Sequence, residues 1–189
     1  NIPLFALMGI VASEIGLGAD VYRVANQAFR RIAGGLGMAT VAANALFASI
    51  TGSSIASASV FTRIAVPEML RFGYTRQFSV GVVAGSSVLG MLIPPSSMLI
   101  IYAIVAEQSV GHMFVAGVIP GILLALAFIL GIFVMTRFTP NFVGDISNQT
   151  ITDQGWMTPR ETATLLLPVA FLVVLVLGGI YTGWFSPEE

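Results

Sequence analysis

The feature that most constrains this chain is the length of its charge-free segments. Only 9% of its 189 residues are charged and 56% are hydrophobic, which is too apolar for the solvated surface of a globular protein. A bilayer core about 30 Å thick needs roughly 20 apolar helical residues per crossing. Four segments that long lack Asp, Glu, Lys and Arg: 32–62, 77–106, 108–136 and 162–187. The sequence therefore predicts an all-α polytopic membrane protein in contact with the lipid bilayer.

Composition argues against several other classes of protein. A net charge of −1 gives no reason to expect a nucleic-acid partner. The absence of cysteine excludes disulfides, thiolate metal sites and cysteine nucleophiles. The sequence has no nucleophile–base pair, metal-ligand cluster or phosphate loop, so we predict no enzyme activity and no cofactor. Because the chain begins at Asn1 without Met and is apolar at once, we interpret it as a segment of a longer protein rather than as a signal peptide.

The arginines decide how the first apolar segment is threaded. Cytoplasmic loops carry the excess of Lys and Arg, and every basic residue here is Arg. Three arginines lie just before segment 32–62 and three just after it, so a single crossing would put the two groups on opposite sides of the membrane. The stretch 48–59 is small and hydroxyl-rich, with Gly52 near its centre, and turns easily. We therefore predict a re-entrant hairpin over 37–70 whose tip faces a site inside the membrane.

The other segments follow the same rule, which places every arginine on the cytoplasmic side. An interfacial helix is expected over 19–33, with Val21, Val24, Ala28 and Ile32 on its apolar face. The remaining predicted elements are a transmembrane helix over 1–15, a broken transmembrane helix over 77–106, a transmembrane helix over 114–136, a cytoplasmic loop over 137–160 and a transmembrane helix over 163–181.

Two adjacent prolines interrupt the predicted helix over 77–106. Pro94-Pro95 removes two backbone donors and clashes with the preceding turn, so the helix should break there. The break would leave carbonyl groups of residues 90–93 and amide groups near Ser96 and Ser97 at mid-membrane. Secondary transporters build ion and substrate sites from re-entrant tips and broken helices that meet at this depth.

The tip and the break together form the candidate site. Their carbonyl and hydroxyl oxygens suit a hard cation such as Na⁺, and the positive end of the second half-helix favours a carboxylate on the solute. The candidate residues are Ser49, Thr51, Gly52, Ser53 and Ser54 at the tip, and Gly90, Ile93, Pro94, Pro95, Ser96 and Ser97 at the break. Tight helix packing is the competing interpretation of such small residues, and it is favoured for Gly81-x-x-x-Gly85 and Gly117-x-x-x-Gly121.

A set of short runs resembles the large, DctM-like permease subunit of tripartite ATP-independent periplasmic (TRAP) transporters. These runs, in order, are Ile2-Pro-Leu-Phe-Ala-Leu-Met-Gly9, Ile50-Thr-Gly-Ser-Ser-Ile-Ala56, Arg63-Ile-Ala-Val-Pro-Glu-Met69 with Gly73-Tyr74, Leu92-Ile-Pro-Pro-Ser96, Ala116-Gly-Val-Ile-Pro-Gly121 and Gly179-Ile-Tyr-Thr-Gly-Trp-Phe-Ser-Pro187. The resemblance covers essentially the whole chain. Two positions depart from the family pattern: Thr51-Gly-Ser53 replaces Ser-Gly-Ser, and Ala56-Ser57 stands where some members carry Ala-Asp.

The resemblance implies a sodium-driven secondary importer in the bacterial inner membrane, with Na⁺ as coupling ion and an elevator motion of the domain that holds the hairpin tips. It implies two partners, a periplasmic solute-binding protein and a small four-helix membrane subunit. It maps the family's tip onto Ser49, Gly52, Ser53 and Ser54, and its break onto Pro94, Pro95 and Ser96. It also implies that the chain is the first half of an inverted-repeat transporter, with the second half beginning after Glu189.

Two further functions remain as alternatives to import of a carboxylate-type organic solute. The first is a non-transporting membrane scaffold or assembly subunit, and an intramembrane enzyme is a distant third. A scaffold needs no interrupted backbone at the midplane. If the hairpin tip and the Pro-Pro break lie close together, transport is favoured.

Overall fold

The computed structural model describes residues 11, 14–29, 31–144 and 158–181, and its secondary-structure elements there are helices. The predicted helix over 1–15 lies outside these residues except for Val11, Glu14 and Ile15. The helices are α1 (Leu17–Phe29), α2 (Gly35–Thr51), α3 (Ser54–Arg71), α4 (Arg76–Ser87), α5 (Leu89–Leu92), α6 (Ser97–Val105), α7 (Val110–Phe138), α8 (Pro140–Val143) and α9 (Pro159–Tyr181).

Helix α2 is the centre of the fold and forms an antiparallel hairpin with α3. Of its 17 residues 13 are buried, and α1, α3, α4, α5 and α7 all pack against it. The Thr40 hydroxyl, near the start of α2, donates to the Met69 sulfur near the end of α3 at 3.8 Å. Closer to the tip, Phe47 and Phe61 make an edge-to-face contact at 5.7 Å. The two arms therefore run side by side along their whole length.

The hairpin tip consists of only two residues, because the sequence signals for ending and starting a helix are adjacent. Gly52 has φ +56°, a conformation that suits glycine, and its N–H donates to the Ala48 carbonyl at 2.9 Å to close α2. The Ser53 hydroxyl accepts from the Ala56 N–H at 3.4 Å and caps α3. The arms extend from Gly35 to Arg71 and so slightly exceed the predicted hairpin over 37–70 at both ends.

The second interrupted helix is made of α4, α5 and α6. Thr75 caps α4, and a turn at Val88 separates α4 from the single-turn α5. Residues 93–96 are non-helical, and the direction of the chain changes by 43° between Arg76–Leu92 and Ser97–Val105. This interruption lies at Pro94-Pro95.

Helix α7, with 29 residues, is the one described helix that is long and apolar enough to cross a membrane by itself. The bent pair Arg76–Leu92 and Ser97–Val105 meets the same test when taken together. The predicted span 114–136 was too short at both ends. Because α7 starts at Val110, His112 is exposed in its first turn rather than part of the preceding loop.

The predicted interfacial helix over 19–33 corresponds to α1 and differs from it in its bounds, Leu17–Phe29. The observed helix, α1, ends at Phe29, and Gly34, at φ +82°, precedes the start of α2. Ala28 and Ile32 are exposed, whereas the buried residues are Leu17, Gly18, Val21, Tyr22 and Ala25. The reason is packing on the hairpin: Gly18 lies against Val60, and Tyr22 packs edge-on against Phe61 at 6.4 Å.

Burial raises the pKa of the Tyr22 phenol, and the Glu68 carboxylate acts in the same direction. Tyr22 is therefore neutral wherever the protein is folded under ordinary conditions. Its ring contributes apolar area to the contact between α1 and the hairpin.

One end of the fold is held together by backbone pairing. The Thr75 N–H donates to the Val143 carbonyl at 2.9 Å, and the Thr75 hydroxyl donates to the Phe142 carbonyl at 2.6 Å. An antiparallel bridge joins Tyr74 to Gly144. The predicted loop over 137–160 was wrong at its start, because residues 137–138 belong to α7 and the short helix α8 that follows is fixed to the α3–α4 turn. Residues 145–157 lie outside the described part, and α9 begins at Pro159, four residues before the predicted 163.

Candidate functional site

The hairpin tip lies in direct contact with the Pro-Pro break. The Gly52 carbonyl accepts a hydrogen bond from the Ser97 N–H at 3.3 Å. A Cβ atom on Gly52 would overlap the Pro95 carbonyl oxygen and would lie 3.2 Å from the carbonyl carbon. Both Gly52 and Pro95 are buried. The contact is between backbones, and it requires glycine at position 52.

A second glycine makes the same kind of contact from the opposite side. A Cβ atom on Gly90 would lie 2.9 Å from both Ser53 C and Ser54 N, and 3.1 Å from the Ser53 carbonyl oxygen. Real Cβ atoms rarely approach backbone atoms this closely, so a side chain at 90 would displace the tip. The interrupted segments therefore fit together through two residues that lack side chains.

Most tip hydroxyls bond to nearby backbone. The Ser49 hydroxyl donates to the Leu46 carbonyl at 2.6 Å, and the Thr51 hydroxyl donates to the Phe47 carbonyl at 3.1 Å. Ser53 is occupied as the cap of α3. Ser54 is half-buried in the first turn of α3. Each hydroxyl oxygen keeps accepting capacity, because donating one hydrogen bond leaves its lone pairs available.

Ser96 organises the backbone at the break. Its side chain is fully buried, donates to the Met91 carbonyl at 2.7 Å and accepts from the Leu99 N–H at 3.5 Å. The Ile100 N–H donates to the Ser96 carbonyl at 3.1 Å. The expectation that amide groups near Ser96 and Ser97 are free at mid-membrane is therefore corrected. The first turn of α6 is largely hydrogen-bonded within the protein.

Helix α7 packs against the Pro-Pro break. A Cβ atom on Gly117 would lie 2.8 Å from the Leu92 carbonyl oxygen, and one on Gly121 would lie 2.9 Å from Ile93 Cγ1. Pro94, Pro95 and Ser96 are buried, while Ile93 and Ser97 are half-buried. Gly117-x-x-x-Gly121 is thus a packing motif that seats the break. Gly81-x-x-x-Gly85 differs, because nothing lies within 4 Å of a Cβ atom on Gly81.

Sequence reasoning missed a buried polar pair that joins the hairpin to the broken helix. The Asn44 amide nitrogen on α2 donates to the Ser86 hydroxyl on α4 at 2.6 Å, and Asn44 is completely buried. Asn44 Oδ1 and Ser57 Oγ are buried without a hydrogen-bond partner. A signal was present: Asn44 is the only carboxamide residue in segment 37–70. An isolated amide in an apolar segment is costly unless it has a partner or a ligand.

This arrangement offers oxygen atoms without formal charge. Backbone carbonyls of Gly52, Ser53 and Pro95 lie at or next to the contact, together with the hydroxyls of Ser53, Ser54 and Ser96. Among the described residues there is no group of three or more His, Cys, Asp or Glu that could hold a metal. Neutral oxygen donors favour a hard monovalent cation over a transition metal.

These features describe an all-helical fold in which two interrupted helices meet backbone to backbone, an arrangement that secondary transporters use. Residues 1–189 match the family described as "Tripartite ATP-independent periplasmic transporter, DctM component". The chain therefore belongs to the DctM family of TRAP transporter large permeases, as its motifs predicted. This is a family of transporters and not of enzymes.

Curated relatives cover the whole chain. It is 37% identical over 188 residues to the C4-dicarboxylate TRAP transporter large permease protein DctM of Pseudomonas aeruginosa. It is 32% identical to the ectoine TRAP transporter large permease protein TeaC of Halomonas elongata, and 31% identical to the sialic acid TRAP transporter large permease protein SiaM of Vibrio cholerae. The chain spans 42% of the length of each of these relatives.

Proposed function

We propose that this chain forms the ion-binding half of a sodium-coupled importer of organic solutes. The contact between Gly52 and Pro95 and the Gly52–Ser97 hydrogen bond carry this proposal. Helix ends joined in this way collect carbonyl and hydroxyl oxygens in one place. Na⁺ as coupling ion then bridges the tip and the break, with Ser49, Thr51, Gly52, Ser53 and Ser54 on one side and Gly90, Ile93, Pro94, Pro95, Ser96 and Ser97 on the other.

The bound ion would couple to transport by strengthening the contact between the hairpin tip and the Pro-Pro break. Filling the site with a cation holds the oxygens of tip and break together, which strengthens the hairpin contact. The tip and break then move as one body across the membrane, in an elevator motion of the domain that contains the hairpin. The hairpin is re-entrant in this mechanism: both arms open to the cytoplasm, and the tip lies inside the bilayer.

We propose that the solute carries a carboxylate. The named relatives transport C4-dicarboxylates, sialic acids and ectoine, which supports an organic solute of this kind. The positive end of α6 contributes to binding the anion. Most backbone amides in the first turn of α6 are already hydrogen-bonded within the protein. We therefore expect many of the contacts with the solute to come from other parts of the full-length protein.

The working assembly lies in the bacterial inner membrane and has two further components. A periplasmic solute-binding protein delivers the solute, and a small four-helix membrane subunit accompanies the large one. The scaffold alternative is disfavoured, because a scaffold has no need for two glycines that fit interrupted backbones together.

The assembly-level test is solute uptake into proteoliposomes that contain the full-length subunit and its small partner. Uptake should require both an inward sodium gradient and the binding protein. Uptake that is unchanged without sodium would contradict ion coupling. Uptake that is unchanged without the binding protein would contradict the tripartite assembly.

Substitution at the tip tests the ion ligands. Ser54→Ala removes a half-buried hydroxyl next to the Gly90 contact, and it should raise the sodium concentration needed for half-maximal uptake. Ser53→Ala should do the same and also weaken the cap of α3. The matched control is Ser59→Ala, an exposed serine on the same helix. If Ser53→Ala and Ser54→Ala need the same sodium concentration for half-maximal uptake as the Ser59→Ala control, the tip hydroxyls are not ligands.

A further inference from the structure

A groove remains in the fold that the transport site does not use. It has a volume of about 330 Å³ and lies between α4, α7 and α8, with one wall from α2. Eleven of its twelve lining residues are apolar or glycine, and Gln77 is the exception. Phe78 and Phe128 contribute its aromatic walls.

Three glycines create this space. Nothing lies within 4 Å of a Cβ atom on Gly81 or on Gly131, and a Cβ atom on Gly85 would meet only the Phe128 ring at 3.5 Å. These glycines therefore differ from Gly117 and Gly121, whose missing side chains are filled by a neighbouring segment. The small residues of α4 and α7 therefore keep the groove open between these two helices.

The size and lining of the groove select an apolar occupant. One water takes a share of roughly 30 Å³ in the liquid, so the groove has room for about ten waters. With one polar side chain in its lining, it offers them few hydrogen bonds, and apolar cavities of this kind stay dry and bind apolar molecules. An α-helix is about 10 Å wide with its side chains, so this volume admits less than one turn. An extended hydrocarbon chain is narrower than a helix, so part of one can be accommodated in this volume.

The end of the groove near Gln77 is positively charged. The pairing of Thr75 with Phe142 and Val143 brings together the end of α3, the start of α4 and the end of α7. Arg71, Arg76 and Arg137 lie at these three ends, and all are exposed. Arg71 pairs with Glu68 at 3.8 Å, whereas Arg76 and Arg137 have no ion-pair partner among the described residues.

We propose that a phospholipid with an anionic head group binds here, with one acyl chain in the groove and its phosphate at Arg76 and Arg137. The positive end favours a phosphate that carries an uncompensated charge over a zwitterionic head group. The site would hold α4 against α7. This inference requires a membrane location but not sodium coupling, so it stands or falls separately from the proposed function.

Native mass spectrometry of the full-length transporter tests the site. The protein is purified in detergent and supplied with phosphatidylglycerol or phosphatidylcholine. We expect a tightly retained phosphatidylglycerol adduct. A Cβ atom at Gly81 or Gly131 would meet nothing within 4 Å, so combined Gly81→Leu and Gly131→Leu substitution should fill the groove and abolish the adduct. Gly178→Leu is the matched control, because Gly178 also has nothing within 4 Å and lies on α9, away from the groove.

A second variant keeps the test valid if the filled groove impairs folding. Arg76→Gln combined with Arg137→Gln changes only exposed side chains and should weaken phosphatidylglycerol retention roughly tenfold or more. Arg23→Gln on α1 serves as its control. Equal retention of both lipids would overturn the head-group assignment. Retention that the filled variant leaves unchanged would overturn the groove assignment, and another part of the longer protein would then be expected to cover this surface.

Discussion

At the scale of single residues, the site depends on the absence of side chains. Gly52 lies against the backbone of the Pro-Pro break, and Gly90 lies against the backbone of the hairpin tip. A Cβ atom at either position would collide with that backbone. Hydroxyl groups surround this contact but mostly bond locally. The contact therefore depends on the small size of these two glycines. Their lack of side chains lets the backbone oxygens of the tip and the break come close together.

Gly52→Ala should be strongly destabilising. It combines an unfavourable positive φ, which costs about 1–3 kcal/mol, with overlap on the Pro95 carbonyl. Gly16→Ala is a matched control, because Gly16 has φ +85° but nothing within 4 Å. Thermal unfolding of the full-length protein in detergent should show a clearly larger loss for Gly52→Ala, together with loss of uptake. Equal losses for the two variants would mean that the Gly52–Pro95 contact contributes nothing.

The Asn44–Ser86 hydrogen bond should couple the hairpin to α4. Buried hydrogen bonds between membrane helices average about 0.6 kcal/mol, with a maximum near 1.7 kcal/mol. Because this pair is completely buried and 2.6 Å long, we expect a coupling energy toward the upper end. A double-mutant cycle with Asn44→Ala and Ser86→Ala, read by unfolding free energy, measures it. If the effects of the two single substitutions on the unfolding free energy simply add, the hydrogen bond contributes no coupling energy between the hairpin and α4.

At the scale of elements, charge-free segments and helix breakers predicted most helices. Pro94-Pro95 and Gly52-Ser53 lie where the chain is interrupted, because these residues act on their own backbone. The contacts of α1 were not predictable from the sequence, since Tyr22 packs on Phe61 and only the folded hairpin brings these two residues together. The Asn44–Ser86 pair was also missed, because its partners are 42 positions apart and only packing brings them together.

The hairpin interpretation makes a topological prediction. The two arms are antiparallel, so Ala33 and Arg71 lie at the same end of the pair, and Ser109 lies beyond the break. In whole cells, single substitutions Ala33→Cys and Arg71→Cys should resist an impermeant thiol reagent, whereas Ser109→Cys should react. The reagent should reach all three after permeabilisation. If Ala33→Cys and Arg71→Cys differ in intact cells, the segment between them crosses the membrane an odd number of times and is not a re-entrant hairpin.

At the scale of the whole molecule, the described helices form one packed body around α2. The hairpin contacts the broken helix at its tip and through Asn44, and α7 supports the break from behind. Backbone pairing at Thr75 fixes the other end of α4 to the segment after α7. In an elevator motion, we expect these parts to keep their mutual contacts.

A disulfide across this end should therefore leave transport intact. Thr75→Cys with Val143→Cys links two backbones that are already paired, and residues 1–189 contain no native cysteine. Uptake by the oxidised double variant should stay within about twofold of each single variant, since a change of that size is below 0.5 kcal/mol. Uptake that is blocked by oxidation and restored by reduction would show that α4 and α7 move relative to each other.

The contact between Gly52 and Pro95 has a consequence for biosynthesis. Its partners are close in sequence, so both are present in the nascent chain soon after the hairpin has left the ribosome. Chains grow at about 5–20 residues per second, and the second partner follows the first within roughly ten seconds. We expect this contact to form while the rest of the chain is still being translated, and then to serve as the template on which α7 docks.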